Sequence, residues 1–186
     1  MIGYAFCGSF CTFSNSIKIL EGLIADGYDI QPIMSENAYS TDTRFWKALS
    51  FRERIEDICG KKIIHTISEA EPLGPQKPLD SLIIAPCTGN TLAKMALGIT
   101  DTAVTMAAKA HLRADRTLVI ALASNDALSA NLRNIGTLLT RKQVYFVPMV
   151  QDDPEKKPHS LVADFSLLRE TLTKAERGLQ IRKIFV

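Results

Sequence analysis

The chain has 186 residues, of which 46% are hydrophobic and 23% charged, and its formal net charge is +2. This length favours one domain over residues 1–186 with a sizeable core. The small net charge and scattered aromatic residues argue against a nucleic-acid partner, and no run of about 18 apolar residues predicts a membrane span. Because the apolar start of the chain also lacks the basic region of a signal peptide, we expect a cytoplasmic protein.

The first half of the chain alternates apolar runs with helical patterns. Strands are predicted over residues 2–7 and 29–34, and a helix over 14–26 between them completes a βαβ unit. A helix over 43–58 and a short strand within 61–67 follow. The cysteines fit reduced thiols, and their spacing predicts no metal site.

A proline-rich loop, residues 69–78, precedes the most informative stretch of the chain. Residues 82–85 form an apolar run typical of a buried strand. Pro86 is expected to end that strand, because proline has no N–H to donate. Thr88 then occupies the N-cap of a helix whose apolar pattern begins at Leu92.

The second half continues the alternation. Asp101 is expected to cap a helix over 102–113, whose small residues could pack inside the chain or against another copy of it. The remaining elements are strands over 117–122 and 144–148, helices over 127–139 and 160–177, a charged loop over 151–158, and a short strand or docking tail over 179–186. The order of elements predicts a doubly wound, mostly parallel, Rossmann-like α/β sheet with helices on both faces.

Small polar turns follow four predicted strands, at residues 8–12, 35–43, 87–91 and 124–126. A doubly wound sheet brings such turns to one edge, so together they predict a ligand pocket rather than four unrelated loops. In the first turn, Gly8 and Ser9 could present a flexible backbone and a hydroxyl to a phosphate, or form only a tight turn and a helix cap. The helix after Thr88 favours an anion at its N-terminus, or else follows an ordinary βα loop.

The stretch Pro86–Lys94, followed by Gly98–Asp101, resembles the Pro-Ala-Ser-Ala-Asn-Thr signature of the flavoprotein superfamily. That superfamily includes the phosphopantothenoylcysteine decarboxylases and the flavin prenyltransferases. Gly8 and Ser9 match its phosphate turn, and Ser35 matches its hydroxyl after the second strand. The resemblance implies an FMN site formed by Gly8, Ser9, Ser35, Cys87, Thr88, Asn90, Thr91, Ser124 and Asn125.

A closer resemblance, to the family of the dipicolinate synthase B subunit, covers nearly the whole chain. It is carried by Thr43–Phe45, Ala70–Pro75, Met106–Ala110, Ser124–Leu128, Tyr145–Pro148, and Gln151–Pro154 with Lys157 and Pro158. This family implies a part in oxidising dihydrodipicolinate to dipicolinic acid during sporulation. It also implies a second protein, the dipicolinate synthase A subunit, through which NAD(P) takes part. The superfamily implies a homo-oligomer.

The chain departs from the decarboxylases of the superfamily at two points. The turn at 35–43 has no histidine and residues 123–139 have no cysteine, so we expect a flavin-type pocket without decarboxylase chemistry. By resemblance, Asn90 orients a substrate carboxylate and is the predicted catalytic residue, and Arg44 is the predicted contact of a small dicarboxylate. The alternatives are a non-catalytic partner that stabilises or regulates the A subunit, and a free-standing flavin enzyme acting on another small acid.

Overall fold

A sheet of seven strands forms the centre of the protein, and the computed structural model describes residues 1–74, 76 and 79–186. The strands are β1 Ile2–Phe6, β2 Ile30–Met34, β3 Ser81–Cys87, β4 Thr117–Ser124, β5 Val144–Phe146, β6 Met149–Val150 and β7 Leu161–Ala163. Their order begins β2-β1-β3-β4. Beyond β4, the strand β5 pairs with its first half in parallel, and β7 pairs with its end in antiparallel. The predicted mostly parallel α/β sheet is confirmed.

Helices cover both faces of the sheet. They are α1 Phe13–Ala25, α2 Glu36–Ser40, α3 Ala48–Cys59, α4 Ile67–Ala70, α5 Gly89–Leu97, α6 Ala103–Leu112, α7 Leu132–Leu139 and α8 Leu168–Ala175. One face packs α1, α3 and α8 against Tyr4 and Phe6, and the other packs α5, α6 and α7 against Ala5 and Cys7. Successive strand residues point to opposite faces, and both faces are covered, so β1 is apolar throughout.

The strand order reverses between β1 and β3, because β1 has β2 on one side and β3 on the other. Open α/β sheets bind ligands outside the carboxyl ends of the strands at such a reversal. The turns that follow β1 and β3 therefore lie where a ligand is expected.

The expectation that Pro86 ends its strand is wrong, since β3 continues to Cys87. The pairing register with β4 shifts between Ile84 and Cys87. Proline lacks a donor but keeps its acceptor, and the Pro86 carbonyl accepts a hydrogen bond of 3.1 Å from the N–H of Cys7.

The cap of α6 is Thr102, so the prediction of Asp101 at this position is wrong. The Thr102 hydroxyl accepts from the N–H of Thr105 at 3.1 Å, whereas Asp101 accepts from the Lys94 ammonium at 2.8 Å. The alanines of α6, such as Ala107, are buried inside this chain. Their small size thus serves internal packing.

The predicted helix over 160–177 is wrong in its first part. Leu161–Ala163 forms β7, a short 3₁₀ helix spans Phe165–Leu167, and only α8 is α-helical. Both Leu161 and Ala163 are buried, because β7 pairs with the end of β4 and covers the core there. The spacing of apolar residues cannot distinguish a strand from a helix in so short an apolar run.

Smaller differences concern loops and element ends. The strand predicted within 61–67 is a single bridge between Ile33 and Ile64, and the helices predicted from 43 and 127 begin at Ala48 and Leu132. Part of the proline-rich loop forms a 3₁₀ helix over Glu71–Leu73, and residues 75, 77 and 78 lie outside the described residues. The tail bridges β6 through Phe185 and Met149.

Within the described residues, no helix combines the length and the apolar character needed to cross a membrane.

Replacement of Phe51 by alanine tests the core. This side chain is buried, stacks on the Phe13 ring at 4.3 Å and meets the edge of Phe6 at 5.3 Å. We expect the free energy of unfolding to fall by about 3–5 kcal/mol in urea titrations. Leu49→Ala on the exposed side of the same helix is the control and should change it by about 0.5 kcal/mol or less; equal effects would contradict this packing.

Candidate active site

Two adjoining cavities lie at the carboxyl edge of the sheet. The main cavity has a volume of about 740 Å³ and lies between the turns that follow β1, β3 and β4. The side cavity, of about 270 Å³, lies between the turns after β1, β2 and β3. Both are lined by Gly8, Thr88 and Asn90. The four polar turns that the sequence places at one edge thus meet around these two adjoining cavities.

The turn after β1 contributes Gly8 and Ser9. A Cβ atom at Gly8 would lie 3.3 Å from the Asn37 Cβ, which is tight, so glycine lets the first and second turns approach. Ser9 does not cap the following 3₁₀ helix with its side chain. Among the hydrogen bonds of the described residues none involves the Ser9 hydroxyl, and Ser9 lines the main cavity.

The turn after β3 is fixed by a chain of hydroxyls. The Thr88 hydroxyl accepts from the N–H of Thr91 at 3.3 Å, as predicted for an N-cap, and donates to the Thr91 hydroxyl at 3.1 Å. The Thr91 hydroxyl in turn donates to the Cys7 sulfur at 3.3 Å. The cap leaves the N–H groups of Gly89 and Asn90 at the helix end, where the helix dipole favours negative charge.

Both thiols beside this turn belong to the core. Burial raises the pKa of Cys7 to about 11, and it raises the pKa of Cys87 well above its ordinary value. Cys87 is fully buried and lines neither cavity. Its side chain is therefore not placed to contact a ligand in either cavity, in contrast to the prediction.

The turn after β4 carries a hydrogen-bonded network that the sequence reasoning missed apart from Ser124. The Ser124 hydroxyl donates to the Asp126 carboxylate, which also accepts from the Asn131 carboxamide at 2.9 Å. Asn134 then donates to Asn131 at 2.8 Å. The Ser124 hydroxyl above all, and Asn131 with it, lower the pKa of the Asp126 carboxyl. These neighbours hold the carboxylate in place.

Gly89 is the point where this network meets α5. A Cβ atom there would lie 2.4 Å from the Ser124 Oγ, 2.6 Å from the Asn131 Nδ2 and 2.8 Å from the Asp126 Oδ1. No side chain fits into that space without displacing the network. The Asp126 and Asn131 roles could have been suspected only from the polar residues that follow Ser124.

The far wall of the main cavity comes from the late loop and β7. Asp152 and Lys157 form an ion pair of 2.6 Å, and Ser160 and Val162 line the wall with them. The hydrogen bond from Lys157 lowers the pKa of the Asp152 carboxyl. The sequence signal for this wall was limited to the family-like loop over 151–158.

The remaining predicted residues differ in placement. Ser35 caps α2, accepting from the N–H of Ala38 at 3.3 Å, and lines the side cavity. Asn125 is exposed at the main cavity. Arg44 is exposed and lines neither cavity, but its guanidinium lies 4.8 Å from the Phe45 ring, and Phe45 lines the main cavity.

Some polar side chains that line the cavities are therefore already ion-paired or hydrogen-bonded within the chain, whereas others have polar atoms free to bind a ligand. Among the described residues, Lys94 and Lys157 are the cations that line them, and each pairs with a carboxylate. The side chains of Ser9, Asn90 and Asn125 have no hydrogen bond within the described part of the chain. Such a site offers neutral donors and acceptors together with the acidic side chains of Asp126 in the main cavity and Glu36 in the side cavity.

The pattern of the flavoprotein family matches residues 1–164. The chain belongs to this family. It is 42% identical over 185 residues to the B subunit of dipicolinate synthase from Bacillus subtilis, a match that covers 100% of this chain and 92% of the relative. Membership therefore extends to the dipicolinate synthase branch of the family.

Solved structures agree with this flavoprotein assignment. The dipicolinate synthase B subunit from Bacillus halodurans superposes with a TM-score of 0.91 at 38% identity, covering 100% of this chain and 95% of that chain. The FMN-dependent cysteine decarboxylase SpaF has a TM-score of 0.70 at 24% identity over 94% of this chain and 95% of its own. The second likeness speaks for the fold alone.

Gly89→Ala tests the close approach of the two turns. We expect the new methyl group to lower the free energy of unfolding by about 1–3 kcal/mol, because it overlaps the Ser124–Asn131 network. Gly136→Ala is the matched control: a Cβ atom there meets nothing within 4 Å. That variant should gain about 0.5–1 kcal/mol from its higher helix propensity. Equal responses in urea titrations would contradict the described contact.

Asp126→Asn tests the charge of the network. Because the folded-state pKa is lowered, the carboxylate contributes stability that is complete above its unfolded pKa, about 3.9, and is lost as the pH falls through the folded value. We expect the variant to lose about 1–2 kcal/mol at pH 7 and progressively less as the pH is lowered below about 3.9 toward pH 2.

Asp57→Asn, at an exposed position of α3, controls for the change in net charge. A loss for Asp126→Asn that is the same at both pH values would contradict the assigned role.

Proposed function

We propose that this flavoprotein holds FMN in the two adjoining cavities and, with the dipicolinate synthase A subunit, takes part in oxidising dihydrodipicolinate to dipicolinic acid. The observation that carries the proposal is the meeting of four polar turns around two adjoining cavities, with unengaged hydroxyl and amide groups and a helix N-terminus in their walls. Family membership supports it, because the related chains are named as a subunit of dipicolinate synthase.

The phosphate of FMN fits the region where the turns after β1 and β2 meet. Gly8, Ser9 and Ser35 line that region, and small residues there allow close approach of backbone N–H groups. The N-terminus of α5 adds the N–H groups of Gly89 and Asn90, which favour an anion. The side cavity is lined by Gly8, Ser35 and Asn90 and also by the acidic Glu36, and its small volume suits a phosphate better than a ring system.

The flavin ring suits the main cavity. Phe10 and Phe45 provide aromatic surface there, and Asn90 and Asn125 provide unengaged carboxamides. The Ser124 hydroxyl already donates its hydrogen to Asp126, so toward the cavity it can only accept a hydrogen bond. A ligand ring with an N–H donor matches that acceptor, and bound FMN would supply a two-electron acceptor.

The oxidation removes two electrons and two protons from the dihydropyridine ring to make it aromatic. In the proposal Asn90 orients a substrate carboxylate, Arg44 contacts the dicarboxylate from the rim, and the NAD(P) of the A subunit is the final electron acceptor. The protein's part is to position the ring and exclude water. We further propose that the protein is a single domain, that it forms a homo-oligomer and that it is cytoplasmic.

One observation favours a second candidate, a non-catalytic partner that stabilises or regulates the A subunit. A dicarboxylate is bound best by unpaired cations. Within the described residues the lining cations, Lys94 and Lys157, are both paired, and Asp126 adds a negative charge to the main cavity. This charge pattern repels a dianionic substrate unless the other protein supplies positive charge.

Reconstitution tests the flavin role. We expect the purified chain, mixed with FMN, to retain absorbance at about 450 nm after gel filtration. Ser9→Ala and Asn90→Ala should each weaken FMN binding about tenfold, because each removes a polar contact. Ser14→Ala, on the exposed side of α1, is the matched control. A folded chain that stays colourless would contradict flavin binding.

Assays with both proteins then separate the two candidates. If oxidation of dihydrodipicolinate needs both of them and is lost in the Asn90→Ala variant at unchanged assembly, the catalytic role is supported. If the isolated A subunit were fully active, this chain would have only the non-catalytic role of stabilising or regulating the A subunit.

A further inference from the structure

A third cavity lies at the C-terminal end of α5. It has a volume of about 480 Å³ and is formed by the end of α5, one side of α6 and the turn after α7. Its floor is apolar, with Met95, Ile99, Ala108 and Leu112. Four cationic side chains line it as well: Lys109, Arg113, Arg141 and Lys142. We call this space the basic cavity.

No carboxylate compensates these charges within the described part of the chain. None of the lining residues is acidic, and none of the four cations takes part in an ion pair of 4.0 Å or less. The Arg141 guanidinium donates only a long bond, 3.5 Å, to the Met95 carbonyl. The basic cavity differs in this respect from the candidate active site, where each lining lysine is paired.

Capping of helix ends accounts for part of this charge but not for all of it. The cavity lies beside the C-termini of α5, α6 and α7, and cations are favourable there. Each C-terminus is equivalent to about −0.5 elementary charge, so the three together offset less than half of four positive charges. At α5, moreover, the N–H of Gly98 already bonds the carbonyls of Lys94 and Met95.

We propose that the basic cavity binds a small organic acid with two negative charges on a flat apolar body. The apolar floor suits the body, and cations from α6 and from the turn after α7 suit two separated carboxylates. The volume lies within the range of small-molecule sites. The basic cavity shares no lining residue with the main cavity or the side cavity, although Met95 follows Lys94 of the side cavity directly in α5. The proposal therefore rests on a separate set of side chains and does not depend on flavin binding.

Calorimetry on the full chain without FMN tests the proposal, with benzene-1,3-dicarboxylate as the probe. We expect saturable binding that weakens with added salt. Benzoate, with one charge, and malonate, with no ring, should each bind about tenfold more weakly or worse. Benzoate binding as well as the dicarboxylate, or no saturable binding of the probe, would overturn the proposal.

Variants locate the binding. Lys109→Ala and Arg113→Ala should each weaken it about tenfold. Arg133→Ala, at an exposed position of α7, and Arg182→Ala, in a neighbouring cavity that also contains Arg141 and Lys142, are the controls and should leave it unchanged.

Ser9→Ala should also leave probe binding unchanged, which separates this result from failure of the FMN proposal. If Arg182→Ala or Ser9→Ala abolishes binding while Lys109→Ala does not, the assigned cavity is wrong. If the probe does not bind and Arg113→Ala changes the sedimentation coefficient, the cavity is an interface between copies of the chain.

Discussion

At Gly89 the turn after β3 passes so close to the turn after β4 that a Cβ atom would lie 2.4 Å from the Ser124 hydroxyl. This approach brings the N-terminus of α5 against the carboxylate network of the neighbouring turn. On the opposite side, Thr91 ties the same helix end to Cys7 after β1. The shape of both cavities follows from these two contacts, since they set the distances between the turns that enclose the cavities.

The network around Asp126 also decides which hydrogen bonds a ligand can make. Ser124 directs its proton to the carboxylate, so it presents only an acceptor to the ligand, while Ser9, Asn90 and Asn125 keep donors and acceptors available. This polarity favours a neutral heteroaromatic ring with an N–H group over an anion in the main cavity. Negative charge is favoured near the helix N-termini, and the two preferences together describe a ligand with a phosphate at one end.

Much of this arrangement could be predicted from sequence because it depends on local rules. Apolar runs indicate buried strands, the carboxyl ends of parallel strands share one edge, and a threonine before a helical pattern predicts a cap such as Thr88. Contacts between distant segments could not be predicted in this way. The pairing of β7 with β4, and the approach of Asp126 and Asn131 to Gly89, depend on tertiary packing that no short pattern contains. Asp101 and Thr102 are both good cap residues, and only the backbone geometry decides between them.

The strand β4 has two successive partners on one side, and this division has a consequence for how the protein is made. β5 pairs with its first half soon after β4 in the chain, but β7, which pairs with its end, comes only at Leu161–Ala163. Because synthesis proceeds from the N-terminus, the parallel strands β1 to β4 can assemble on the ribosome before the far wall of the main cavity has been made. The far wall of the main cavity is consequently the last of its walls to be made, and a nascent chain that ends before β7 leaves the cavity open on that side.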